Sequence, residues 1–166
     1  MSSGPPALLL APCDSLSFEQ INHLRRLEVE PWQKAACGSI EAALEWSSSA
    51  PGGAVSAWAL LVEGWPAAFL LLLRAPCAPP WAAPGSAVVQ SFQVDRRAQR
   101  RGLGSACLKA LSAAVTERWP DVSQLALGVD PGNAAALAFY RALGWAEAGR
   151  ACRARVGYER QFVLPL

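Results

Sequence analysis

The stretch from Val94 to Leu111, VDRRAQRRGLGSACLKAL, combines residue types that bind phosphate. An apolar, strand-like run leads into a glycine-containing turn, and an amphipathic helix is predicted to begin near Leu103. Such a junction directs unpaired backbone N–H groups and the positive end of a helix dipole toward one point, where phosphate binds. Gly102 and Gly104 permit a positive φ and close approach of a ligand to the backbone. Guanidinium groups that could pair with anionic oxygens crowd the loop, namely those of Arg96, Arg97, Arg100 and Arg101.

An ordinary glycine turn with solvated arginines is the alternative, but the strand, the arginines and the helix in register favour a phosphate site. The loop lacks the third glycine of a dinucleotide-binding fingerprint. It also lacks the Gly-Lys-Ser/Thr of a Walker A loop.

A second candidate lies in NAAALAFYRALGW, from Asn133 to Trp145. Asn133, Ala136 and Tyr140 occur at i, i+3 and i+7 and therefore share one face of a predicted helix. An amide, a small residue and a phenol in one stripe form a face against which a slender ligand could lie. Taken alone, the residues favour a simpler interpretation, with Asn133 as an N-cap and Tyr140 as a half-buried core aromatic.

Both segments resemble signatures of one family, the GNAT superfamily of N-acetyltransferases. Its pyrophosphate loop has the pattern Gln/Arg-x-x-Gly-x-Gly/Ala, which is matched here by Gln99, Arg100, Arg101, Gly102, Leu103 and Gly104. Its second signature, Asn-x-x-Ala-x-x-Phe-Tyr-x-x-Leu-Gly-Phe/Trp, is matched by Asn133, Ala136, Phe139, Tyr140, Leu143, Gly144 and Trp145. The resemblance therefore favours the ligand-binding interpretation of the second segment as well.

The resemblance implies an α/β fold with a twisted, mixed, mainly antiparallel sheet flanked by helices on both faces. It implies one acetyltransferase domain over residues 1–166, of bacterial type, that moves an acetyl group from acetyl-CoA directly to a primary amine without a metal. Tyr140 would protonate the departing thiolate, and a backbone N–H near Val94 would stabilise the oxyanion. Asp95 is a candidate base for the amine proton. The implied acetyl-CoA residues are Phe92, Gln93, Val94, Gln99, Arg100, Arg101, Gly102, Leu103, Gly104, Ser105, Asn133, Ala136, Phe139 and Tyr140.

A narrower resemblance concerns the acceptor. Gln90–Asp95 followed by Gln99 is similar to a segment of bacterial spermine/spermidine-type acetyltransferases, and Leu27–Gln33 resembles their region between the first two helices. A small-molecule amine, with a polyamine as one option, is therefore the expected acceptor. Glu28, Glu30 and Asp95 would give that side a negative character, and the Pro-rich stretch 75–86 with Trp81 would close over a small molecule. Acetylation of protein N-termini or lysines is an alternative, as is a non-catalytic acyl-CoA-binding module.

The predicted elements place these segments in an alternating order. Predicted strands cover Ala7–Ala11, Ala54–Val62, Pro66–Arg74, Ala87–Val94 and Leu125–Val129, with two more within 145–166. Four helices are predicted: from Ser15 or Ser17 to Leu27, Ser39–Trp46, Leu103–Trp119 and Asn133–Leu143. The third is expected to bury a face formed by Leu103, Cys107, Leu111 and Ala114. Strand–helix alternation in the second half requires at least one parallel strand pair.

Composition narrows the class of protein further. The 166 residues are 52% hydrophobic and carry a net charge of +2, which suits one globular domain and argues against a general nucleic-acid coat. The five cysteines form no Cys-x-x-Cys pair, so neither a zinc site nor a disulfide framework follows and a reduced cytoplasmic setting is expected. The start MSSGPPALLLAP lacks the features of a signal peptide, and Ala67–Leu73 is too short to span a membrane. The oligomeric state stays open, with a homodimer among the options.

Overall fold

The computed structural model describes residues 4–152 and 157–166, which form a seven-stranded sheet in the order β1-β2-β3-β4-β5-β7-β6. All neighbours are antiparallel except β4 and β5, which run parallel. The α/β class and the mixed, mainly antiparallel sheet are therefore confirmed. The strands are β1 (Leu8–Pro12), β2 (Val55–Val62), β3 (Trp65–Leu73), β4 (Ser86–Val94), β5 (Gln124–Val129), β6 (Ala146–Cys152) and β7 (Tyr158–Pro165).

Helices cover both faces of this sheet, and each face has its own apolar core. The helices are α1 (Phe18–Leu24), α2 (Pro31–Cys37), α3 (Ile40–Ser49), α4 (Leu103–Arg118) and α5 (Ala134–Ala142). One core joins α1 and α3 to side chains such as Phe69 and Leu71. The other joins α4 and α5 to side chains such as Leu70 and Leu72. Because consecutive residues of β3 point to opposite faces, its run of leucines is buried on both sides.

Helix α4 buries a slightly different stripe from the predicted one. Leu103, Cys107 and Leu111 are buried as expected, whereas Ala114 is only half-buried. Ala114 nevertheless packs against the same core, and Leu108 and Val115 are buried beside it. The predicted face has the right direction but is too narrow, because a 3.6-residue turn also brings Leu108 and Val115 to the core.

Helix α1 begins where predicted but ends three residues early. Ser17 is its N-cap, and its side chain forms a reciprocal capping box with Gln20. After Leu24 the chain tightens, since the Leu27 N–H donates to the carbonyl three residues back. Pro31 then disfavours a helical conformation at the residue before it.

Helix α2 was not predicted, and α3 is longer than predicted. Pro31 occupies the first turn of α2, and Glu30 forms a capping box with Gln33. The predicted loop from 47 is helical as far as Ser49, and the hydroxyls of Ser48 and Ser49 donate to the Glu45 carbonyl within the last turn.

Two other predictions touch residues outside the described ranges. The first three residues of MSSGPPALLLAP and the connection 153–156 between the last two strands lie outside them. Among the helices described, none has the length and apolar character needed to cross a bilayer.

Candidate functional site

Strand β4 separates from β5 halfway along its length. The parallel pairing joins Ser86–Val88 to Gln124–Ala126 and ends there, although the two strands continue to Val94 and Val129. On its other edge β4 is bulged against β3, with Ser91 at φ 56°. A bulge re-aims the strand and increases its twist. We call the gap between residues 89–94 of β4 and 127–129 of β5 the strand opening.

The N-terminus of α4 follows directly after this strand. Its N-cap is Gly102, which has a left-handed φ of 75° and provides no side-chain cap. Arg100 also has a positive φ, of 61°, so the backbone of the loop turns sharply twice. The first intrahelical bond runs from Ala106 to Gly102, which leaves the N–H groups of the first turn directed at the loop. This geometry suits an anionic ligand. Those N–H groups belong to Leu103, Gly104 and Ser105.

Only two of the four loop arginines remain available for an anion. Arg100 and Arg101 are exposed and form no ion pair with any described residue. Arg96 pairs with Glu28 at 3.2 Å, and Arg97 pairs with Asp95 at 2.7 Å. Of the four guanidinium groups that could pair with anionic oxygens, those of Arg96 and Arg97 are therefore engaged with carboxylates of the chain.

Gln99 holds the loop to the end of β4. Its side-chain Nε2 donates to the Val94 carbonyl at 2.9 Å. The bond spans the short 3-10 turn Arg96–Ala98. We interpret Gln99 as a residue that positions the loop.

Gly104 provides close packing where three elements meet. A Cβ at this position would lie 3.6 Å from ring carbons of both Phe92 and Phe139. Phe92, Phe139 and Ala136 are half-buried and pack against the core beneath α4 and α5. The strand opening is therefore bordered by β4, α4 and α5.

Asn133 precedes α5 as its N-cap, and Tyr140 lies within the helix. The Asn133 side-chain oxygen accepts from the Ala136 N–H at 3.1 Å, so Asn133 does cap the helix. Its amide NH2 has no partner among the described residues. The Tyr140 ring packs edge-on against Trp145, with ring centroids 5.7 Å apart. Its hydroxyl likewise has no hydrogen-bond partner in the described part of the chain.

The phenol of Tyr140 stays protonated over the whole neutral range. Burial raises its pKa, and the neighbouring thiols of Cys37 and Cys107 raise it further. A group with such a raised pKa is a hydrogen-bond donor at neutral pH. It is better suited to stabilising charge on a nearby sulfur than to holding a negative charge itself.

Asp95 is committed to the loop. Its carboxylate accepts bonds from the Arg97 backbone N–H at 2.9 Å and from the Arg97 guanidinium at 2.7 Å. Burial alone would raise the pKa of Asp95, but the bonds and charge of Arg97 outweigh burial and lower the pKa. A base with a lowered pKa and occupied oxygens accepts a proton poorly. The geometry therefore weighs against the predicted role of Asp95 and favours a cap of the turn.

Helix α2 covers the bulge of β4, which the sequence did not indicate. The Cys37 thiol donates to the Phe92 carbonyl at 3.5 Å, and the Ser91 hydroxyl donates to the Cys37 carbonyl at 2.8 Å. Burial raises the pKa of Cys37, so the thiol keeps its proton. The available signal was local: Glu30 and Gln33 at capping-box spacing around Pro31 mark the start of this helix.

A cavity of about 450 Å³, which we call the α2 cavity, lies beside this contact. It is lined by residues of the segment 25–31, by Lys34, by 38–41 at the start of α3, and by Gln93 and Arg96. Gln93 belongs to the bulged part of β4, so the α2 cavity adjoins the strand opening. The loop 75–86 does not line the cavity, because Trp81 packs against the core under α1 and α3. This placement weighs against the expectation that the loop closes over an acceptor in this cavity.

The predicted negative character of this side is largely offset by arginines. Glu28 pairs with Arg96, and Asp95 with Arg97. Glu30 accepts a bond from the Gln33 backbone in its capping box and does not line the α2 cavity.

Comparison with protein families gives one match. Residues 18–145 match the model of the acetyltransferase (GNAT) family. This span includes both signatures, the strand opening and the whole of α2. No curated protein matches the sequence significantly.

Solved structures share the fold. The ribosomal-protein-S18-alanine N-acetyltransferase of Escherichia coli is 24% identical, with a TM-score of 0.59 over 96% of this chain and 94% of that one. An acetyltransferase from Thermus thermophilus is 21% identical, with a TM-score of 0.68 over 96% and 97%. The aminoglycoside acetyltransferase AAC(6')-Ib, solved with coenzyme A, is 16% identical, with a TM-score of 0.73 over 96% and 95%.

Proposed function

The chain belongs to the acetyltransferase (GNAT) family, and on that premise we propose that it acetylates the primary amine of a small molecule, as a single domain over residues 1–166. Acetyl-CoA is the cosubstrate. The observation that carries the proposal is the strand opening. A helix N-terminus without a side-chain cap lies on its border, together with a phenol that has no hydrogen-bond partner among residues 4–152 and 157–166.

The residues around the opening fit the chemical parts of acetyl-CoA. The pyrophosphate would bind the N–H groups of the first turn of α4, with Arg100 and Arg101 beside it. The backbone of Phe92–Val94, which has no strand partner on the β5 side, would pair with the amides of the pantetheine arm. The free NH2 of Asn133 would donate to the same arm.

The acetyl thioester supplies a carbonyl carbon for attack by the amine nitrogen, and the carbon–sulfur bond breaks with its electrons on sulfur. The nitrogen gives up one proton in this exchange and the sulfur gains one. Tyr140 donates a hydrogen bond to the departing sulfur as its charge develops. A backbone N–H near Val94 stabilises the oxyanion.

Three features support an amine acceptor reached from the α2 cavity. The cavity adjoins the bulge of β4, it has the volume of a small-molecule site, and Cys37 closes the contact between α2 and β4. With Asp95 held by Arg97, ordered water is the better candidate to accept the amine proton.

Thiol release from acetyl-CoA across a panel of amines tests the proposal. The panel contains simple aliphatic amines, amino acids, spermidine and peptides with free N-termini, all at one concentration. Turnover of small amines above peptides supports the proposal. Faster turnover of peptides would instead indicate a protein acetyltransferase, and acetyl-CoA binding without turnover of any amine would indicate a binding module.

A further inference from the structure

The charged groups that line the α2 cavity are more basic than acidic. Three are cations and two are carboxylates. Each carboxylate is held by a guanidinium, since Glu41 accepts two bonds from Arg25 at 2.5 and 3.2 Å and Glu28 accepts one from Arg96 at 3.2 Å. Lys34 is the third cation.

Lys34 is the uncompensated charge of this set. It lies on α2, its side chain is exposed, and it forms no ion pair with any residue in the described ranges. Gln93, which is 4% exposed, forms the wall toward the strand opening. A ligand in the cavity would therefore meet both the ammonium of Lys34 and the bulged part of β4 that adjoins the strand opening.

We propose that the acceptor is an amine that also carries a carboxylate, with the carboxylate bound near Lys34 and the amine directed past Gln93 toward the strand opening. The inference rests on the proposed function, because it names the substrate class of the same site. It departs from the polyamine expectation, since a second ammonium would meet Lys34 and two guanidinium groups that already hold the carboxylates.

The test compares β-alanine with β-alanine amide, which differ only in the carboxylate. Calorimetry on the CoA-loaded protein measures their binding, and thiol release separately measures their turnover. Lys34→Met removes the charge and keeps an unbranched side chain. Lys109→Met, on the exposed side of α4 and away from the cavity, is the matched control because the chain has only these two lysines.

We expect wild-type protein to bind the carboxylate form more tightly than the amide. Lys34→Met should weaken binding of the carboxylate form about fivefold, the factor of an ion pair in a partly solvated site, and leave the amide unchanged. Lys109→Met should alter neither. The inference is overturned if both ligands bind equally, if Lys34→Met weakens both alike, or if spermidine binds more tightly than either. Selective binding without turnover would contradict the proposed function while leaving the charge inference standing.

Discussion

The two sides of the β4 bulge are built by different means. On the α4 side, the groups available to a ligand are main-chain N–H groups of the first helical turn, positioned by Gly102 at φ 75°. On the α2 side, they are charged side chains from four separate segments, held by ion pairs such as Arg25–Glu41.

This difference separates recognition of the cofactor, which is general, from recognition of the acceptor, which is specific. A backbone site recognises a pyrophosphate, which every acyl-CoA shares, and depends little on side-chain identity. A cavity of paired charges changes its selectivity with a single substitution. We therefore expect changes near α4 to act on cofactor binding and changes near α2 to act on the choice of acceptor.

Tyr140→Phe tests the residue that lies between the α4 side and the α2 side of the β4 bulge. The change keeps the ring packing against Trp145 and removes only the hydroxyl. With the thiolate no longer stabilised, kcat should fall about a hundredfold. Single-turnover kinetics at saturating acetyl-CoA would measure the chemical step. A loss below about threefold in that step would show that Tyr140 is only a packing residue.

Asp95→Asn tests whether the carboxylate belongs to the structure or to the chemistry. Removal of a charge-assisted pair with Arg97 should lower the free energy of unfolding by about 2 kcal/mol at pH 7. Because the pKa of Asp95 is lowered in the folded state, its stabilisation is present above the unfolded value of about 3.9 and is lost as pH falls through the lower folded value.

The stability difference between the wild type and Asp95→Asn should therefore shrink on acidification, as denaturant unfolding at several pH values would show. The turnover of amines should change less than about threefold. A large loss of kcat in a variant that remains folded would restore Asp95 as the base.

Gly102→Val tests the backbone side. Open space surrounds Gly102, so the effect should come from its left-handed φ, which a branched residue does not tolerate. Displacement of the first turn of α4 should weaken CoA binding about tenfold, since one or more N–H bonds of about 1.4 kcal/mol are lost. Gly64→Val is the matched control, with φ 83°, open surroundings and a place in the β2–β3 hairpin.

Calorimetry with CoA should show the loss for Gly102→Val alone, although both variants lose stability. Equal CoA affinity in the two variants would contradict the placement of the pyrophosphate at this loop.

Arg101→Ala should have the smallest effect. An exposed guanidinium contributes about 0.7 kcal/mol to an anion in salt solution, so CoA affinity should fall about threefold. The decrease should disappear as salt is raised toward 1 M, where charges are screened over about 3 Å. A loss of a hundredfold would show that side chains rather than the backbone dominate the α4 side.

The fold and the α4 side could be largely predicted, whereas the α2 side could not. The loop from Gln99 to Gly104 and the stripe on α5 are continuous in sequence, so their spacing carries the information. The ion pair of Glu28 and Arg96 spans 68 residues, and no local pattern indicates it. The contact of Cys37 with the Phe92 carbonyl also joins residues that are distant in sequence. This contact depends on the direction that the bulge gives to β4.

Asp95 shows how this difference limits a prediction made from sequence. A carboxylate next to a predicted central strand has the chemistry of a base, and sequence spacing alone does not show that Arg97 folds back onto it. Helix α2 was missed for a simpler reason. It has seven residues, none of them buried, so it lacks the apolar periodicity on which helix prediction depends.

The three residue pairs that join β4 to β5 also have a consequence for cooperativity. Strands β1–β4 form one antiparallel group and β5–β7 form the other, so this short parallel ladder is the only strand pairing between the two groups in the described part of the sheet. Its amide protons should exchange with solvent at a lower free energy than those of β3, because local opening needs few bonds broken. A cofactor bound across the strand opening would contact both groups of strands and slow that exchange. Ligand binding would therefore make the two groups of strands unfold more cooperatively.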